Sequence, residues 1–288
     1  MKSKGSSHCL TNLQRIPVIT WRNISSVCGR GLALVSMLAA LWIAGGCASS
    51  GPTASSSAAA PDANVLRIGV TPDMPPLIYR EAGDITGLEA DFARQLAASL
   101  GRTPQFVTVP WEKQIDTLIA GRIDIIMSGM TATRPRAVRI NFAQPYLREG
   151  LVALVRRDDA AVIQLGMFGS DYKVGAQRGT TGEFFAQNSF PSRSVVLFNT
   201  PKDGAKALLE KRITIFIHDA PVNWWLASIY ETQGLAVIPR FLTEDYLAWG
   251  IRKDDAELLN AANQFLEKVR QDGQLRATVQ RWLPGWDY

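Results

Sequence analysis

The chain is poor in cysteine and histidine. It has three cysteines, at 9, 28 and 47, and none in the following 241 residues. From Ala48 onward this excludes a disulfide, a thiol nucleophile and a thiolate metal site. Histidine is nearly as scarce. His8 lies in the leader, and His218 is the only other one. A histidine cluster for a metal and a Ser-His-Asp triad are therefore not expected, and no cofactor is implied. Acidic residues are missing from the first 46 positions, where Lys2, Lys4, Arg15, Arg22 and Arg30 stand unopposed. The rest of the chain carries 26 Lys and Arg against 26 Asp and Glu. The pI near 9.2 thus reflects the N-terminus and is no sign of a nucleic-acid-binding surface.

No apolar run reaches membrane-spanning length. The longest, "GLALVSMLAALWIA" (31–44), is short, uncharged and preceded by arginines, which fits a secretory signal. It ends in "AGGC", which resembles a bacterial lipobox with Cys47 as the acylated first residue, although Ala44 stands where that pattern prefers Leu. The Ser/Ala/Pro/Gly-rich stretch 48–64 then reads as a flexible tether. Residues 1–46 are expected to be a signal peptide. Several acyl chains on Cys47 would hold the body firmly at a membrane. The expected place is the periplasm or cell envelope.

The body alternates short apolar runs with amphipathic ones. "VLRIGV", "PQFVTV" and "IDIIMS" read as strands. Between them, "GLEADFARQLAASLG" repeats Leu88, Phe92, Leu96 and Leu100 at helical spacing and stops at glycine. "WEKQIDTLIAGRI" gives a second helix. The pattern restarts with strands "YKVGAQ", "SVVLF" and "ITIFIHD" and their helices. The fold class is α/β. Two lobes with parallel sheets are joined by extended crossings, "GLVALVRRDD" and "YLAWGIRK", around a cleft. The expected boundaries are 65–153 with 248–288 for lobe one and 154–247 for lobe two. The hinge is expected near Leu151–Val155 and Leu247–Ile251.

Ligands in such sheets bind beyond the carboxyl ends of the strands, and three strand ends are rich in polar groups. "MSGMTATRPR" (127–136) carries Arg134 and Arg136 around Pro135. Two readings fit it. Thr133 could cap a helix whose arginines are solvated, or Arg136 could grip a carboxylate beside a helix start. "RGTTGEFF" offers an N–H-rich turn or merely a tight one, without the spacing or lysine of a phosphate-binding loop. In "FIHDAP", Asp219 either caps the next helix or receives an ammonium. Trp111 is placed to cover a ligand's apolar stem.

These segments together resemble the bacterial extracellular solute-binding proteins of family 3, the receptors of polar amino-acid ABC importers. The resemblance covers residues 65–288 and runs through "GLEADFARQLAASLG", "GRIDIIMSGMTATRPR", "FAQPY", "GTTGEFFA", "HDAP", "LAWGIRKDD" and "FLEKVRQDGQLRATVQRW". It implies a bilobed fold of the periplasmic-binding-protein type II kind. It also implies a monomer that delivers a small ligand to an ABC permease. Arg136 resembles the arginine that grips the α-carboxylate. Ser128, Gly129 and Thr131 resemble the strand-end segment that helps it, and Thr180 a contact from lobe two. Asp219 resembles the ammonium acceptor. Met74 and Trp111 stand at the positions of two aromatic lids. Two departures stand out. Met74 replaces the usual aromatic, and Thr71, with Asp73 nearby, stands where several binders have an acid. Cyclohexadienyl dehydratases share the fold and would use an acid matching Glu183. That position is equally a first-turn acid favoured by the helix dipole, and the expected protein is a binder, not an enzyme. A ligand-sensing domain would use the same site.

Overall fold

The computed structural model describes residues 64–164, 169 and 171–286. The leader, Cys47 and the tether lie outside the described residues. No helix among those described is long and apolar enough to cross a membrane.

Lobe one begins with β1 (Val65–Val70) and a small meander of β2 (Asp73–Met74), β3 (Ile78–Glu81) and β4 (Asp84–Thr86). Helix α1 (Leu88–Ser99) follows, with Leu88, Phe92 and Leu96 buried on one face as their spacing predicts. It starts after Gly87, whose φ of 117° and contact with the Leu77 carbonyl admit no side chain. Then come β5 (Thr103–Thr108), α2 (Gln114–Ile119), β6 (Ile125–Ile126), α3 (Arg134–Arg139) and β7 (Asn141–Phe142). A crossing strand, β8 (Leu147–Glu149), leads to lobe two.

Lobe two contains β9 (Leu151–Arg156), α4 (Ala160–Gln164), β10 (Val174–Gln177), α5 (Thr181–Ser189), β11 (Val195–Phe198), α6 (Pro201–Leu209), β12 (Ile215–Asp219), α7 (Ala220–Ile229) and β13 (Leu235–Ile238). The chain returns through β14 (Asp245–Leu247) and β15 (Gly250–Ile251), and closes with α8 (Ala256–Gln271) and α9 (Gln274–Trp282).

The two large sheets have the orders β5-β1-β6-β15-β7 and β11-β10-β12-β9-β13. In each, the first three strands are parallel, as expected. Each then contains one reversed strand, β15 or β9, antiparallel to both neighbours. The sheets are therefore mixed and not purely parallel. The reversed strand is in each case the first one made after the chain changes lobe. This corrects the reading of Leu151–Val155 as hinge. All five residues are buried, and β9 pairs with β12 along its length. A strand held on both edges cannot flex as a linker. The crossing is instead the ribbon of β8 and β14, with register Asp245↔Glu149, Tyr246↔Arg148 and Leu247↔Leu147. The 153/154 boundary read from sequence lies inside β9, and the ribbon ends just before Gly150. A Cβ on Gly150 would collide with the Thr243 carbonyl, so the two crossings run in backbone contact there.

Candidate functional site

Arg136 is the centre of the polar contacts between the lobes. Thr133 caps α3, and its hydroxyl accepts the Arg136 N–H at 3.5 Å. That cap takes one of the N–H groups of the helix start, the one on Arg136 itself. Nη1 donates to the Thr131 carbonyl at 2.9 Å. Nη2 crosses the cleft to the Gly179 carbonyl at 3.1 Å. Trp111 Nε1 donates to the same carbonyl at 2.9 Å, and the guanidinium carbon lies 5.4 Å from the Trp111 ring centroid. Two lobe-one side chains thus converge on one lobe-two oxygen. Burial lowers the guanidinium's pKa, and the charges of Asp219 and Asp245 counter it. Arg134, two residues away, is exposed.

Asp219 ends β12. It occupies the cap position of α7, yet its side chain makes no capping bond. Its carboxyl is buried, and Oδ1 has no hydrogen-bond partner. Burial and the neighbouring charge of Asp245 push its pKa up to about 7, against Arg136 and a hydrogen bond from Thr181. Buried carboxylates lacking a partner are costly, and a cation beside Oδ1 would remove that cost. His218 is no rival for this role. Its Nδ1 accepts the Asp219 N–H and its Nε2 faces Gln177 Oε1, both at 2.8 Å. Burial lowers its pKa to about 3, so the imidazole is neutral.

Two cavities flank Arg136. One, of about 510 Å³, is lined by Thr133, Arg136, Leu151, Thr181, Phe184 and Asp245, among others. The other, of about 460 Å³, includes Trp111, Met130, Arg178, Gly179 and Glu183. Both have the size of small-molecule sites.

The remaining expected residues divide. Thr131 is buried and bridges to Leu247 of the second crossing. Ser128 Oγ accepts the Thr71 N–H at 2.8 Å, which ties the ends of β1 and β6 together. Gly129 adopts a φ of 66° and donates its N–H to Glu89 Oε1 at 2.6 Å. Thr180 spends its hydroxyl locally. It caps α5 and donates to the Gln177 carbonyl at 2.7 Å. Thr181, one residue on, is the threonine that lines the cavity and bonds Asp219. Met74 is buried in the main apolar core. Thr71 is occupied by the Val109 carbonyl and Gln114. Asp73 lines a separate groove of about 360 Å³, and burial pushes it up to about 7. Glu183 holds the Gly179 N–H at 2.6 Å and the Gln187 amide at 2.8 Å, so both oxygens are engaged.

Sequence reasoning placed Gly179 and Thr181 in the N–H-rich turn without giving either a contact, and missed Asp245 and Glu89. The two adjacent threonines could not be ranked without the backbone that makes one the cap. Asp245 had only the weak signal of an acid entering a crossing strand. Glu89 is wholly buried, and besides Gly129 it receives Tyr146 Oη at 2.8 Å and Trp249 Nε1 at 2.9 Å.

The chain matches the model of the bacterial extracellular solute-binding proteins, family 3, over residues 66–285. It is 26% identical over 220 residues to the L-cystine-binding protein TcyJ of Escherichia coli K12, covering 76% of this chain and 82% of that protein. It is 25% identical over 265 residues to the glutamine-binding protein GlnH of Bacillus subtilis, covering 88% and 96%. Among solved structures, an ancestral amino-acid-binding protein, AncCDT-1, described as a precursor of cyclohexadienyl dehydratase, matches with a TM-score of 0.69 and 32% identity, covering 76% of this chain and 95% of that one. A putative ABC-transporter binding component from Wolinella succinogenes, complexed with lysine, matches with 0.71 and 27%, covering 77% and 97%. The mixed sheets, the paired crossings and these matches agree: the fold is the type II periplasmic-binding-protein fold, and the chain belongs to family 3 of the bacterial extracellular solute-binding proteins.

Proposed function

We propose that this protein binds an α-amino acid or a similar small carboxylate between its lobes and delivers it to an ABC permease. The observation that carries the reading is a guanidinium, Arg136, set between two cavities and close enough to the buried Asp219 carboxyl, one of whose oxygens has no partner, for each charge to act on the other. A ligand carboxylate would take the guanidinium from the Gly179 carbonyl. The ligand's ammonium would meet Asp219 Oδ1. Ser128, Gly129 and Thr131 hold the strand end in place, Trp111 covers the guanidinium, and Thr181 supplies a hydroxyl from lobe two. Thr180 acts through the cap that orients this turn, and Met74 acts from the core beneath the β2 meander.

The test is a thermal-shift screen against amino acids, dicarboxylates and prephenate. An amino acid at 100 times its Kd is expected to add about 2.7 kcal/mol of stability. No stabilisation by any carboxylate would sink the reading. Prephenate is expected to remain unconsumed, since Glu183 is committed to its own turn. Turnover that Glu183→Gln abolishes would make the protein an enzyme instead.

Protonation of Asp219 sets a pH dependence. Its ligand-free pKa is about 7, and a docked ammonium stabilises the carboxylate and lowers that value. Binding must then release a proton below pH 7, so affinity falls on acidification from 7 and is flat above it. Calorimetric titration from pH 5.5 to 8.5 checks this. Asp219→Asn is expected to flatten the profile and to bind the des-amino analogue as well as the amino acid. A profile equally steep in the variant would place the titrating group elsewhere.

The same proposal includes an envelope location with Cys47 acylated. It is supported by the short apolar run and the tether. Intact-mass analysis of the membrane fraction is expected to find a lipid-modified chain beginning at Cys47, and an unprocessed leader would refute it.

A further inference from the structure

A third cavity lies at the hinge, away from Arg136. It measures about 540 Å³ and is lined by Arg148, Glu149, Trp224, Phe241, Thr243, Glu244, Gly285 and Trp286. It shares only Thr243 with the cavities around Arg136. Three of its walls are aromatic. Trp224 contacts Phe241 and Trp286 edge-on, with centroids 6.1 and 5.0 Å apart. Trp224 and Phe241 are 40% and 50% exposed, so adjacent aromatic surface is left open to water.

The charged groups are unbalanced. Arg148 and Glu244 pair at 3.0 Å on the exposed rim. That leaves Glu149, which is only 4% exposed. Its Oε2 accepts the Ala220 N–H at 3.3 Å, at the start of α7, which accounts for one oxygen. Its Oε1 is buried with no partner. Asp245 faces Glu149 directly across the crossing ribbon, and like charges so placed repel. Burial, Asp219 and Asp245 all push the Glu149 carboxyl well above its ordinary range. Hydrogen bonds from the Ala220 and Gly150 N–H groups oppose the shift, and a cation in the cavity would offset the two repulsive charges and compensate the carboxylate's burial. Among the described residues no three metal-ligating side chains form a group able to hold a metal ion. Aromatic faces beside a single carboxylate instead suit a soft, weakly hydrated cation, held by ring quadrupoles and one charge.

We propose that the hinge cavity walled by Trp224, Phe241, Trp286 and Glu149 binds a small alkylammonium cation. Its walls come from both lobes and the crossing between them, through α7, β8 and the segment after α9. The cavity is separate from the two around Arg136, although the charges of Asp219 and Asp245 reach Glu149, and the proposal does not depend on the amino-acid reading.

The test is a calorimetric titration of the full chain with tetramethylammonium chloride, against sodium chloride at matched ionic strength. Saturable binding specific to tetramethylammonium is expected. Trp224→Ala removes one ring and is expected to weaken it by roughly 3- to 30-fold, from the usual strength of a cation–π contact. Glu149→Gln keeps the shape, removes the charge, and is expected to weaken it at least about tenfold. Phe184→Ala, an exposed ring on the walls of both cavities around Arg136, is expected to leave it unchanged. If Glu149→Gln does not fold, Trp224→Ala and Phe241→Ala decide, since both side chains are partly exposed. No binding beyond the sodium control overturns the proposal. So does equal affinity in the wild type and the Trp224 and Phe241 variants, or loss of binding in Phe184→Ala, which would place the cation in the cleft.

Discussion

Arg136→Ala is expected to abolish high-affinity binding of every ligand that carries an α-carboxylate. Removing one member of a buried, hydrogen-bonded charge pair costs about 2–5 kcal/mol. At 1.4 kcal/mol per tenfold, Kd rises by roughly 30-fold to several thousandfold. The guanidinium is desolvated, fixed by the Thr131 carbonyl and held against Trp111. Arg136→Lys is expected to fail almost as badly, because an ammonium cannot reproduce the planar fork. Arg134→Ala provides the contrast. That side chain is exposed, and exposed ion pairs contribute under about 1 kcal/mol. Calorimetric titration of the three variants with the best ligand of the screen gives the answer. A crippled Arg134→Ala beside a silent Arg136→Ala would put the clamp on the wrong arginine. Full affinity in both would reduce the segment to a capped helix.

Glu89→Ala is expected to destabilise the fold by at least about 3 kcal/mol. Its carboxylate is the buried acceptor of three donors, from Gly129, Tyr146 and Trp249. Each donor left unmatched costs about 1–3 kcal/mol. Those donors belong to three separate segments: the strand-end loop, the chain leading into β8, and the return into β15. Their release would also loosen the loop that leads to Arg136. Glu89→Gln separates charge from shape. Its carbonyl oxygen can keep the two bonds now made by Oε1, but its amide then opposes the Trp249 N–H. About 1–3 kcal/mol is expected from that one mismatch. The pH dependence is distinctive. Burial outweighs the three donors and raises the carboxyl from 4.5 to about 7. A raised folded-state pKa gives stability that is complete below pH 4.5 and lost as pH rises through 7. Glu89→Gln lacks that contribution, so its stability deficit narrows across this window as the wild type loses its own. Urea unfolding at pH 5 and 8 measures both effects. A loss under 1 kcal/mol for Glu89→Ala would show that water replaces the carboxylate.

Much of this architecture was legible in the residues. Leu88, Phe92 and Leu96 recur at helical spacing because one face of α1 must leave water, and Gly87 and Gly101 bound it by conformations other residues avoid. The three strand–helix units of each lobe followed from runs of apolar residues broken by glycine or proline. The chain's charge balance and its scarcity of cysteine and histidine bounded the chemistry expected of it in the same way, because those are properties of composition. The directions of β9 and β15 were not legible. Their apolar runs bury equally well either way, and only the path of the crossing reverses them. That misplaced the hinge, since five consecutive buried residues at Leu151–Val155 look the same in a sheet as in a covered linker.

The site divides along the same line. Arg136 stood out in the helix start that follows β6, and Asp219 at a strand end, because a charged residue directly after an apolar run must find either water or a partner. Which of the two it finds is a matter of neighbours brought from elsewhere in the chain. Tertiary structure left Asp219 Oδ1 buried and unpaired, closed both oxygens of Glu183 on its own turn, and chose Thr181 over Thr180 for the cavity. It also gathered Glu89, Gly129, Tyr146 and Trp249 from across 160 residues of chain. Composition and periodicity determined which groups must be buried. Only the fold decided what they are buried against, because desolvation acts on each residue alone while its compensation needs a second residue at hydrogen-bond distance.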